Sequence, residues 1–187
     1  NLFTKIEYDK LCKHRLQLDN YLLQNNCSFM NDFVAVYTLA LNRKKKVLEK
    51  IQKEPFDYTS NDSVKFSKKK FPFDLVETDL ERIWKKRIRY DILEDISKLS
   101  SNLDSLKQNF ATLEKTTKIK LFDANLCQVN SILDTKGRIE SDLHNTFLNL
   151  FCTYFDPHSN YFSLAAKSNF MSGLSTSTLS LGLNVGF

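Results

Sequence analysis

The chain is poor in the residues that make tight turns between strands. Only 4 of its 187 residues are glycine and 3 are proline. A strand-rich fold needs many such turns, so this scarcity argues against a mainly β protein. Leucine, lysine, aspartate, glutamate and phenylalanine instead fill long unbroken stretches, which favour helices of several turns. We therefore predict a mainly α fold.

The chain also lacks a long apolar run. No stretch approaches the roughly 20 apolar residues that cross a bilayer, so we expect no transmembrane segment in it. Its hydrophobic residues make up 42% of the sequence, enough to bury a substantial core. The net charge of +5 comes from separate lysine-rich clusters among 22 acidic residues, which describes a mildly basic protein.

Cysteine and histidine do not form a recognisable ligand pattern. No two cysteines have the C-x-x-C spacing, and the three histidines do not lie at zinc-finger distances from them, so we expect no structural metal. Each cysteine lies in a run of apolar periodicity and is predicted to be a small buried side chain. A bridge between Cys12 and Cys27 would require an oxidising compartment. The four positions are Cys12, Cys27, Cys127 and Cys152.

Capping signals and apolar spacing predict two helices in the first part of the chain. Thr4 and Glu7 have the form of a capping box, and leucines then recur at helical spacing to about Gln24. Ser28 is predicted to cap a second helix, which ends before Pro55.

Residues 55–76 differ in character from the helical segments. Aromatic side chains are scattered among polar residues and prolines without a helical period, which predicts an extended connector. Its aromatic residues are too many for a bare linker, so we expect the connector to lie across the helical body and bury them. They are Phe56, Tyr58, Phe66, Phe71 and Phe73.

Three more helices are predicted after the connector. Thr78 and Glu81 form a second capping box, followed by an apolar stripe that ends at Leu99. Ser101 is predicted to open the fourth helix, and Gly137 to stop it. The last helix ends before Pro157, because the residue that precedes a proline is pushed out of the α region.

Lysine-rich clusters are the first candidate site. A polyanion site would need them on one face with aromatic residues between them. Two of them lie opposite apolar stripes on predicted helices, so solvated helix surface is the better interpretation, and we expect no nucleic-acid partner. The clusters are residues 43–46, 68–70 and 85–89.

Asp156 and His158 are the second candidate site. A carboxylate and an imidazole can ligate a metal or act as general bases. Turn chemistry offers the alternative: Asp156 caps the turn, Pro157 fixes its φ, and His158 and Ser159 bond local backbone groups. The hydroxyl-rich residues 175–180 contain no Gly-x-Ser-x-Gly elbow, so we expect no catalytic nucleophile there.

The third candidate is residues 179–185, which alternate as a strand does and then bend at Gly182. Free backbone amides at such a bend could bind a peptide carboxylate, and an adjoining strand edge could pair with the peptide.

Two segments of the chain resemble the tail-specific, or C-terminal processing, serine peptidases. One is similar to the family's Asp-Pro-His-Thr/Ser-x-Tyr-Leu-Ser, which stands just before its PDZ domain: Asp156-Pro157-His158-Ser159-Asn160-Tyr161-Phe162-Ser163. The other, residues 54–62 followed by 80–91, is similar to the family's Glu-Lys-Pro-hydrophobic-Asp-Phe-Thr-x-Asn-Asp segment and to its Leu-Trp-containing helix.

The resemblance implies a domain organisation and a place for the catalytic residues. Residues 1–164 would form the helical N-terminal domain, and 165–187 a linker and the first strand of a PDZ domain. The Ser nucleophile and Lys general base would lie beyond Phe187, so no catalytic residue is carried over to this chain, and no cofactor is implied.

The resemblance also implies partners and a location. Substrate proteins would be bound by their C-terminal tails, an adaptor protein could dock, and the enzyme would work in the bacterial envelope, in the periplasm. The family's carboxylate loop, Gly-Ile-Gly-x-Val, is similar to Gly182-Leu183-Asn184-Val185, with Asn184 in place of the second glycine. Asparagine tolerates a left-handed backbone better than most residues.

Two alternatives stay open. The chain could be a free-standing helical module that binds a partner in an apolar groove, or it could bind a polyanion through its lysine clusters.

Overall fold

The computed structural model describes residues 2–66 and 75–174. All regular secondary structure in these ranges is helical, which confirms the predicted mainly α class. The predicted strand at residues 179–185 lies outside the described residues. The helices are α1 (Lys5–Cys12), α2 (Leu18–Leu23), α3 (Ser28–Gln52), α4 (Glu77–Ser97), α5 (Leu103–Gln108), α6 (Phe110–Leu133), α7 (Arg138–Phe155) and α8 (Leu164–Leu174).

The chain divides into two compact units, Asn1–Glu140 and Ser141–Phe187. In the first unit, α6 packs against both α3 and α4. The core residues of α4 recur every four positions, which places them on one helix face, as predicted. Leu99, also assigned to that stripe, lies beyond the end of α4 and is exposed. The central core consists of Leu48, Ile51, Ile88, Ile92, Ile96, Phe122 and Val129.

One of the two predicted capping boxes forms. The Thr4 side chain accepts a hydrogen bond from the Glu7 N–H, and the Glu7 carboxylate accepts one from the Thr4 N–H at 2.8 Å. The box predicted from Thr78 is wrong, because α4 already begins at Glu77. Its first turn is closed by Asp79, whose carboxylate accepts the N–H of Val76 at 3.3 Å.

The first predicted helix is divided in two. α1 ends at Cys12, and a turn separates it from α2, whereas the sequence predicted one helix to Gln24. The ring of His14, in this turn, lies 3.1 Å from the Tyr21 hydroxyl and 3.0 Å from the carboxylate of Asp32 on α3. This long-range contact holds the turn and overrides the local apolar period.

Serine was predicted to cap α3 and to open the fourth helix, but Cys27 stands at the N-cap of α3 without a side-chain capping bond, and Asn102 caps α5. The Asn26 side-chain oxygen accepts the N–H of Ser28, and that of Asn102 accepts the N–H groups of the first turn of α5. The fourth predicted helix is interrupted at Asn109, between α5 and α6. Gly137 lies in the turn before α7 with φ of 72°, in the left-handed region that favours glycine.

The connector is described over residues 55–66. Phe56 lies 6.4 Å from Phe122 of the core, and Tyr58 lies 5.2 Å from Phe110, so these two aromatic side chains pack against the core and are partly buried. Phe66 differs, since it is 57% exposed and packs under the guanidinium of Arg87 at 4.3 Å. Phe71 and Phe73 lie outside the described residues.

The second unit contains most of α7 and all of α8. α7 ends at Phe155, as predicted from the following Asp-Pro pair. The predicted linker is helical over its first residues, because Ser163 caps α8 by accepting the Ala166 N–H at 3.2 Å and leucine and alanine follow. Among the helices of the described ranges, none has the length and apolarity needed to cross a membrane.

Candidate functional site

The turn after α7 is built around the Asp156 carboxylate. It accepts hydrogen bonds from the His158 N–H at 3.0 Å and from the Ser159 hydroxyl at 2.7 Å. These two bonds hold the pKa of Asp156 below its ordinary value. Next along the chain, the Tyr161 N–H donates to the Asn149 side chain at 3.0 Å, which ties the segment back to α7.

This geometry is that of an Asx turn and does not resemble a reactive centre. The Asp156 oxygens are engaged by the chain's own donors, and both Pro157 and His158 are exposed. Within residues 2–66 and 75–174, no group of three or more His, Cys, Asp or Glu side chains could hold a metal ion. The predicted carboxylate loop, Gly182 to Val185, lies outside the described residues.

A second charged cluster joins the connector to α4. The Asp62 carboxylate accepts from Lys86 at 3.1 Å and from Arg89 at 2.5 Å, and these two bonds lower its pKa. Arg89 also donates to the Asp57 carbonyl at 2.8 Å and to the Ser60 hydroxyl at 2.6 Å. One guanidinium therefore binds three points of the connector.

The start of the connector is held in the same way. Glu54 pairs with Lys85 of α4, and its carbonyl accepts from Lys118 of α6 at 2.6 Å. The Tyr58 hydroxyl donates to Glu114 at 2.9 Å; burial and this bond raise the pKa of Tyr58. Residues 54–62 and 80–91, which together resemble one upstream part of the family, thus contact each other.

A buried ion pair joins the N-terminus to α3. The two terminal nitrogens of Arg43 each lie 2.7 Å from an oxygen of Glu7, and one of them also donates to the Leu2 carbonyl at 3.0 Å. Burial alone would raise the pKa of Glu7, but the bonds from Arg43 and the Thr4 N–H outweigh it and lower that pKa. Sequence reasoning missed this pair, because 36 residues separate its members.

The basic clusters are mostly engaged in contacts of this kind. Arg43 pairs with Glu7, and Lys85, Lys86 and Arg89 bind the connector. The sequence predicted that these side chains would be solvated, whereas they make ion pairs with other segments. Burial lowers the pKa of Lys44. The cluster at residues 68–70 lies outside the described residues.

The four cysteines are free thiols, and the prediction that they are buried is wrong. Cys27 and Cys127 are exposed, while Cys12 and Cys152 are partly exposed. Cys27 precedes the first turn of α3, and Cys127 lies outside the face of α6 that carries Phe122 and Val129. No bridge joins Cys12 to Cys27.

Residues 1–165 match the family described as Tail specific protease N-terminal domain. No curated protein and no solved structure matches the chain.

Proposed function

The chain belongs to the tail-specific protease N-terminal domain family, and from that membership we propose that it is the non-catalytic helical part of a serine endopeptidase. The enzyme recognises proteins by their C-terminal tails and trims or degrades them. Its nucleophilic serine and general-base lysine lie in sequence beyond Phe187. The observation that carries this proposal is the family match over residues 1–165.

The internal contacts of the chain support a scaffolding role. The charged groups of residues 54–62 and 80–91 bind each other: Asp62 and Glu54 of the connector bind Lys86, Arg89 and Lys85 of α4. The Asp156 oxygens likewise accept hydrogen bonds from residues of their own turn. Side chains engaged in this way position segments of the chain.

The proposed mechanism needs only a small part of this chain. A substrate tail adds as a strand to the groove of a PDZ domain whose first strand includes residues 179–185, and Gly182, Leu183, Asn184 and Val185 offer amides to its carboxylate. The downstream serine then attacks the peptide bond, and the lysine, kept neutral by burial, accepts its proton. An adaptor that docks on the helical domain and a periplasmic location complete the proposal.

Tail-dependent cleavage is the direct test. The polypeptide encoded by the complete reading frame is incubated with a folded reporter ending in three apolar residues and with the same reporter ending in three aspartates. We expect cleavage of the first only, and no cleavage of either by residues 1–187 alone. A folded complete polypeptide that cleaves neither reporter contradicts the proposal.

A free-standing interaction module is the second candidate. The second unit favours it, because several large apolar side chains of that unit are exposed, among them Leu150, Tyr154, Phe155 and Leu164. A complete reading frame that encodes no PDZ-like domain and no later serine and lysine would favour this candidate over the peptidase.

A further inference from the structure

An apolar cavity of about 410 Å³ opens between α1, α2 and the first turns of α3. All of its apolar wall residues are only partly buried, so their surface faces the cavity and not a packed core. Cavities of several hundred Å³ with mainly apolar walls are typical of sites for small ligands or side chains. The apolar wall consists of Leu2, Phe3, Leu11, Leu18, Phe29 and Phe33.

Contacts between aromatic rings hold the wall residues in place. The ring of Phe33 lies 5.7 Å from that of Phe29 and 6.4 Å from that of Phe3. Phe29 meets the ring of His14 edge-on at 5.7 Å, and His14 is itself bonded to Asp32. The turn between α1 and α2 is therefore fixed to α3, and the cavity exists before a ligand arrives.

Polar side chains also line part of the cavity. Tyr8 and Cys12 also line it. Arg15 also lines it, is exposed, and pairs with no carboxylate among the residues that the structure describes. An apolar chamber with an unpaired guanidinium at its rim fits a ligand that has an apolar body and an anionic end.

We propose that this cavity binds the C-terminal end of a polypeptide whose last residue is large and apolar. The last side chain enters between Phe29, Phe33 and Leu11, and the α-carboxylate lies against Arg15. A medium-chain fatty acid offers the same chemistry; the choice of a polypeptide rests on the function proposed above, in which substrates are recognised by their tails and each cut creates a new C-terminus. The site is separate from the loop at Gly182 to Val185, and would give the enzyme a second contact with chain ends.

Fluorescence anisotropy with the 187-residue chain tests the site. The probe is a labelled hexapeptide ending in phenylalanine, compared as the free carboxylate and as the C-terminal amide. We expect the carboxylate form to bind about fivefold more tightly, since a guanidinium–carboxylate contact at an exposed rim is much weaker than a buried one. Arg15→Gln should abolish this difference. The matched control, Lys13→Gln, removes an exposed cation of the same turn that does not line the cavity, and should preserve it.

Four outcomes would overturn the proposal: no binding of either peptide, equal binding of both, a carboxylate preference that survives in Arg15→Gln while its circular dichroism is native, or octanoate binding more tightly than the peptide. The last outcome would assign the cavity to fatty acids. Failure of the cleavage test with intact carboxylate-selective binding would refute the proposed peptidase function and leave the cavity's ligand in place.

Discussion

Replacing Glu7 with glutamine should destabilise the helical body, because it leaves the buried Arg43 guanidinium without a counter-charge. The side chains of Glu7 and Arg43 are 8% and 10% exposed, and both contacts between them measure 2.7 Å. Removing one partner of a buried ion pair costs about 3–5 kcal/mol. Arg43 keeps the Leu2 carbonyl and a 3.3 Å contact to Glu77, so we expect a loss of about 2–3 kcal/mol.

Urea unfolding followed by circular dichroism measures this loss as a shift of the midpoint at constant slope. The matched control is Lys98→Gln, which removes the 3.0 Å ion pair with Glu94, whose side chains are 61% and 40% exposed. It should leave the urea midpoint nearly unchanged, since exposed pairs contribute little. If Glu7→Gln costs no more than the control, the pair does not stabilise the fold as argued.

The same variant has a defined pH dependence. The folded chain holds the pKa of Glu7 below its ordinary value, so the unfolded chain binds this proton more tightly. Stability contributed by such a group is present above the unfolded pKa, near 4.3, and is lost as the pH falls through the folded pKa. The difference between the unmodified chain and Glu7→Gln should therefore be full at pH 7 and shrink below about pH 4. If this difference in stability instead grows as the pH falls, folding does not lower the pKa of Glu7.

Three further predictions concern the connector, the core and one turn. Arg89→Ala removes the donor that binds three points of the connector, so limited proteolysis should cut the connector several times faster; an unchanged rate would contradict the clamp. Phe122→Ala should cost about 3–5 kcal/mol in urea unfolding because its side chain is fully buried, whereas Ile119→Ala, 49% exposed on the same helix, should cost less than about 1 kcal/mol. Gly137→Ala should lower the free energy of unfolding by about 1 kcal/mol, because φ is 72° there while the space around a Cβ is open. The corresponding control, Gly173→Ala inside α8, should be neutral or stabilising, and equal losses at both sites would argue against backbone strain at Gly137.

The sequence predicted most of the long helices because their signals are local. The spacing of Ile88, Ile92 and Ile96, the Thr4 capping box and the stop before Pro157 all depend on residues a few positions apart. The division between α1 and α2 could not be predicted in this way. It depends on the contact between the ring of His14 and Asp32, 18 residues later. The spacing of apolar residues along one helix does not predict such a contact.

The ion pairs of the candidate site were even harder to predict, because they join residues that are far apart in the sequence. Lysines and arginines opposite an apolar stripe predict a solvated face, but several of them bind carboxylates on other segments of the chain. The pairing of Arg43 with Glu7 and of Arg89 with Asp62 needs the register of separate elements, which a single sequence does not contain. The connector's aromatic residues did predict that it would pack, but not that α4 would hold it by ion pairs.

These ion pairs also bear on what the surface can bind. A polyanion at α4 would have to displace the Asp62 carboxylate, which lies 2.5 Å from Arg89 and 3.1 Å from Lys86, and the connector would have to move with it. Counter-ion release, the usual source of nucleic-acid affinity, is small where the protein already neutralises its own cations. Arg15 differs from these residues, because it lies beside an apolar cavity and has no acidic partner among the described residues. We therefore expect this domain to bind polypeptide ends that have an apolar last residue and one negative charge, and not polyanions.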